Sequence, residues 1–128
     1  MAEKFGEFKS VYDAFDIQGL TVETGISGAA TKLTITLAAI SGGEYTLFKV
    51  EGFCDGVGSA LITILDSVGT LGYGWAGAVD KPSRPWLAPK GVRCAVGPVT
   101  VIIPAADSGS IYAQIFYYGG VRPTRIPA

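Results

Sequence analysis

Lys32-Leu33-Thr34-Ile35-Thr36-Leu37 puts Leu33, Ile35 and Leu37 on one side of an extended chain and Lys32, Thr34 and Thr36 on the other. Alternation of this kind is the period of a half-buried antiparallel strand. The same reading extends outward. Residues 45–54 place Phe48, Val50 and Cys54 opposite Lys49 and Glu51. Residues 98–103 bring Val99, Val101 and Ile103 together. Residues 60–65 and 110–118 are apolar on both faces and read as strands central to a sheet. Weaker strands fall at 20–23, 69–76 and 92–96. Gly and Pro separate these runs at roughly 8–12-residue spacing, the signature of strands joined by turns. No helical period follows residue 16, so no crossover helix is available for a parallel unit. About eight short strands then fit an all-β fold, a two-sheet antiparallel β-sandwich or jelly roll.

The 128 residues suit one domain. Apolar residues make up 48% and charged residues 16%, which excludes a disordered chain. A net charge of -1 argues against general nucleic-acid affinity, which needs an excess of cations. The longest apolar stretch, residues 59–79, is broken by Thr63, Asp66, Ser67 and glycines, so no membrane-spanning helix is expected. The opening Met-Ala-Glu-Lys-Phe-Gly-Glu has mixed charge with no apolar run behind it, and export by the usual signal is not expected. Cys54 and Cys94 lack metal spacing and read as reduced, buried thiols.

The ends differ from the middle. Residues 1–18 form an N-terminal arm or short amphipathic segment, with Phe5, Phe8 and Phe15 at three- to four-residue spacing around Val11 and Tyr12. Residues 19–119 are the β-sandwich domain. Residues 120–128, with Arg122, Arg125 and two prolines, are an extended C-terminal tail. The first half of the chain holds eight acids and four bases, and the second half three acids and six bases. Such a division suits contact between unlike surfaces.

Catalytic chemistry finds little foothold. There is no His, so the usual neutral-pH acid-base group is missing. Neither Ser-x-x-Lys nor Gly-x-Ser-x-Gly occurs. Asp55, Asp66, Asp80 and Asp107 supply carboxylates, but nothing singles out a hydrolytic pair among them. There is no Asn, no two acids lie closer than three residues, and no calcium loop is formed. The expectation is a non-enzyme with no cofactor and no metal. Trp75 precedes the Pro-rich stretch 81–90, Trp86 lies within it, and Tyr117 and Tyr118 end the last strand. Exposed aromatics of this kind stack on sugars or anchor protein interfaces, and Trp86 is the interface candidate among them.

Phe48-Lys-Val-Glu-Gly-Phe53, Gly58-Ser-Ala-Leu-Ile-Thr-Ile-Leu-Asp-Ser-Val-Gly-Thr70, Pro89-Lys-Gly-Val-Arg-Cys94, Gly97-Pro-Val-Thr-Val-Ile-Ile-Pro104 and Ser110-Ile-Tyr-Ala-Gln-Ile-Phe-Tyr-Tyr-Gly119 follow one another in an order with a parallel elsewhere. The arrangement resembles the small β-sandwich head decoration, or cement, proteins of tailed bacteriophages. The resemblance implies a structural virion protein that binds the capsid exterior and stabilises it by bridging capsomers. It further implies a homo-oligomer, commonly a trimer, whose partner is the major capsid protein, assembled in the host cytoplasm, with no nucleic acid and no membrane as partner. Phe5, Phe8, Phe15, Trp86, Arg122 and Arg125 are the expected interface residues. The alternative is a carbohydrate-binding or adhesion module of the fibre-like β-sandwich type.

Overall fold

The computed structural model describes residues 20–121. They form eight strands: β1 (Thr21–Ile26), β2 (Leu33–Leu37), β3 (Gly43–Cys54), β4 (Ala60–Leu65), β5 (Thr70–Ala76), β6 (Trp86–Arg93), β7 (Val99–Ile103) and β8 (Ile111–Val121). β1 pairs with β8, β2 with β7, β3 with β6 and β4 with β5, all antiparallel. The chain is therefore one long antiparallel ribbon doubled back at the β4–β5 turn. Rolling that ribbon sets β8 beside β3 and β7 beside β4. Two four-stranded sheets result: sheet A in the order β1-β8-β3-β6 and sheet B in the order β2-β7-β4-β5. This is a jelly roll, as the alternation of the strands led one to expect.

The alternation builds the core directly. Leu33, Ile35 and Leu37 of β2 and Val99, Val101 and Ile103 of β7 point inward from sheet B. Leu47, Val50, Ile111 and Ile115 meet them from sheet A. Each fully buried side chain of this size contributes about 1.5–3 kcal/mol. β4 and β8 are central strands, and their second apolar faces look outward rather than into a further core.

Two departures from simple alternation matter for the surfaces. β3 carries a bulge between Leu47 and Lys49, so Leu47 and Phe48 are both buried and the phase of the strand changes there. The bulge faces a bowed part of β6. Gly91 sits there at φ +82°, and any Cβ on it would lie 3.0 Å from the Phe48 ring. β6 itself begins at Trp86 and ends at Arg93, where the sequence led one to expect a connection followed by a strand at 92–96. It tolerates Pro89 because it is the edge of sheet A, where a missing N–H costs no ladder bond. β8 continues through Gly120 and Val121, which pair with Glu44 and Gly43. The first two residues expected in the tail are thus part of the sheet.

The open side of the sandwich is closed by Trp86. Its ring lies over Gly72 of β5, where a Cβ would come within 2.3 Å of the indole nitrogen. Glycine at 72 lets an edge of sheet A cover an edge of sheet B.

Candidate functional site

Residues paired across neighbouring strands point to the same face, so register and burial together define what each sheet shows to the outside. On sheet B the outward positions are Thr34 and Thr36 of β2, Thr100 and Ile102 of β7, Leu61, Thr63 and Leu65 of β4, and Thr70, Tyr73 and Trp75 of β5. None of them is charged. Tyr73 is 58% exposed, Leu61 39% and Trp75 38%. Charge returns only at the rim. Lys32 precedes β2, and Arg84 bridges to Trp75 through paired backbone bonds of 2.7 and 2.8 Å. Trp75, Lys81, Pro82 and Arg84 border a shallow hollow there.

Sheet A is different. Its outer face reads in rows across the strands. Ile26, Tyr112 and Phe53 form one row, and Thr24, Gln114 and Glu51 the next. Val22, Phe116, Lys49 and Leu87 form a third. Among the described residues, two ion pairs form on it. Lys49 lies 3.0 Å from Glu51 and 5.2 Å above the Phe116 ring. Arg93 donates to Glu44 at 2.7 Å. Between the first two rows lies a cleft of about 330 Å³, lined by Phe53, Tyr112, Thr24, Gln114, Glu51 and, from the β5–β6 connection, Ser83 and Pro85.

The loops hold these faces in place. Asp55 accepts from the Ser110 N–H at 2.8 Å and from the Tyr112 hydroxyl at 3.2 Å. The hydrogen bond to Asp55 and its charge push the Tyr112 phenol above its usual value. Ser83 donates to the Gly52 carbonyl at 2.8 Å and accepts from the Gly77 N–H at 2.9 Å, fixing one wall of the cleft. At the opposite end Asp66 accepts from the N–H groups of Val68, Gly69 and Ala95 at 2.9, 3.1 and 2.9 Å. Asp55 and Asp66 are thus engaged in loop architecture, while Asp80 and Asp107 are exposed. Among the described residues no three of His, Cys, Asp and Glu converge. Cys54 and Cys94 are free and buried, and burial pushes the Cys94 thiol up to about 12.

Of the residues expected at an interface, Trp86 is half-buried and packs against the core. Phe5, Phe8, Phe15, Arg122 and Arg125 lie outside the described residues. The residues that the fold does bring together, Phe53 with Tyr112 and Gln114 with Thr24 and Glu51, were not singled out from sequence. Their one sequence signal is an aromatic at 53, out of phase with the inward positions of its strand.

No protein-family model matches the chain. No curated protein matches it. Among solved structures, it is similar to a carbohydrate-binding module, CBM36, in complex with calcium and xylotriose, at 10% identity and a TM-score of 0.38 over 80% of this chain and 95% of that one. It is also similar to the virus-like particle of the extra small virus of the giant freshwater prawn Macrobrachium rosenbergii, at 13% identity and a TM-score of 0.38 over 77% of each chain. At this similarity neither says what the present chain binds or builds.

Proposed function

We propose that the chain is a non-catalytic, self-associating structural protein. Within that class we assign it to the virion, as a head decoration protein that binds the capsid exterior as a homo-oligomer and bridges capsomers. The observation that carries the first step is the outer face of sheet B. A surface of ten strand positions without one charged residue, exposing Leu61, Tyr73 and Trp75, has the make-up of an interface centre. Lys32 and Arg84 supply the charged rim that surrounds such a centre. Charge-free faces meet without like-charge repulsion, so copies of this chain suit one another there.

The second step, to the virion, is supported by the sequence resemblance and by the jelly-roll order, an architecture shared by viral capsid and lectin domains. The trimer is what that resemblance implies, and the major capsid protein is the partner. The test is co-sedimentation of the purified chain with undecorated bacteriophage head shells, with and without Leu61→Lys. Saturable binding that stiffens the shells against heat or chelation supports the reading. A chain that stays in the supernatant at every concentration contradicts it.

A further inference from the structure

We propose that the cleft on the outer face of sheet A binds a neutral saccharide unit of a polysaccharide or glycan. The cleft lies on the face opposite the one assigned to self-association. Its roughly 330 Å³ falls at the small end of ligand clefts, about 300–1,000 Å³.

The chemistry of the cleft is amphipathic in one direction. One side is the row of Tyr112 and Phe53, directly paired across β8 and β3 and 39% and 46% exposed. The other side is the row of Thr24, Gln114 and Glu51. The two rows lie two residues apart along each strand, about 6.6 Å. A sugar ring has the matching division, with an apolar C–H face and an edge of hydroxyl groups. Its face lies on the aromatic row, and its hydroxyls meet the amide and hydroxyl groups of Gln114 and Thr24. Aromatic rings with a polar handle serve such half-wet contacts.

Charge selects the class. Glu51 is the one ionised residue lining the cleft, and Lys49 neutralises it from 3.0 Å. No cation is among the residues that line the cleft, so phosphate, sulfate and uronate groups find no counter-charge within it. A neutral polyhydroxylated ligand does not need one. The site is also preorganised. The Tyr112 hydroxyl is tied to Asp55, and the Ser83 wall is tied to the backbone at Gly52 and Gly77. Rings already fixed in place lose little freedom on binding.

The experiment is affinity electrophoresis of the full chain through gels containing soluble β-glucan, xylan, mannan, galactan or starch, with alginate as the anionic comparison. At least one neutral polymer slows the protein, and alginate does not. Phe53→Ala and Gln114→Ala, both at partly exposed outward positions, weaken that retention roughly tenfold or more. Val68→Ala, at an exposed position of the β4–β5 turn, leaves it unchanged. Retention by none of the five neutral polymers, or by alginate alone, overturns the proposal, as does equal retention of folded Phe53→Ala. If Phe53→Ala instead lowers the solution mass of the folded chain, the face is a subunit contact and the saccharide site is refuted. Shell binding plays no part in this readout, so the two proposals fail separately.

Discussion

Replacing Asp66 by Asn tests how the loop end of the sandwich is held. The Asp66 carboxylate takes three backbone N–H bonds, two within the β4–β5 turn and one from Ala95 in the β6–β7 connection. Burial raises its pKa, but the N–H groups of Ala95, Val68 and Gly69 outweigh that and hold it below the usual carboxylate value. An Asn side chain keeps one acceptor oxygen and turns an NH₂ toward the remaining donor. It can satisfy the turn or Ala95, not both. A hydrogen bond to a charged group is worth about 1.5–3 kcal/mol, and the exposure of Val68 and Gly69 to water discounts their share. The expected loss is about 2 kcal/mol at pH 7. With a urea m-value near 1.5–2 kcal/mol/M, the midpoint falls by roughly 1 M. The pH dependence follows from the sign of the shift. A carboxyl with a depressed folded pKa stabilises above its unfolded value, about 3.9, and that stability is lost as pH falls through the lower folded value. The gap between the native chain and Asp66→Asn therefore narrows below pH 4. Urea unfolding by Trp fluorescence at pH 7 and at pH 2.5 measures both. A variant within about 0.5 kcal/mol of the native chain at pH 7, or an equal gap at both pH values, refutes the role given to Asp66.

Three further outcomes follow from the packing. Ile62→Ala removes a fully buried side chain and costs about 2–5 kcal/mol in denaturant unfolding, whereas Leu61→Ala, its outward neighbour, costs under about 1 kcal/mol to the folded monomer. Gly72→Ala places a methyl group where the Trp86 ring lies, costs about 1–3 kcal/mol and alters the Trp emission; an unchanged spectrum and stability would show that Trp86 does not close that edge. Both thiols react slowly with a thiol reagent at pH 8 in the folded chain and at once in urea, since both are buried and the Cys94 thiol is pushed up to about 12.

The strands were readable in sequence because each is decided by its own alternation, as in Leu33-Thr-Ile-Thr-Leu37. β6 was not, because Pro89 and Gly91 break the period, and only its edge position makes a strand with a proline tolerable. The bulge at Phe48 likewise shifts one residue between faces with no local mark in the sequence. The surfaces depend on register between strands far apart in the chain. That Thr34, Thr63 and Tyr73 share one uncharged face requires knowing that β7 and β4 lie between β2 and β5. The meeting of Phe53 with Tyr112, and of Gln114 with Thr24 and Glu51, requires the β1-β8-β3 pairing, to which no pattern within a single strand points. Asp66 was visible as an acid at the end of a strand, but its bond to Ala95 spans two connections and appears only in the folded chain.

The most direct measurement is the mass of the folded chain in solution at micromolar concentration, by sedimentation equilibrium, for the native protein and for Leu61→Lys. Leu61 lies on the uncharged face of sheet B, exposed and paired with Trp75, and a lysine there puts an unpaired cation into any contact made through it. The native chain is expected as an oligomer, with three times 13.3 kDa as the proposed mass, and Leu61→Lys as a folded monomer. A native chain that is monomeric at high concentration, or an oligomer that Leu61→Lys leaves intact, would contradict self-association through this face.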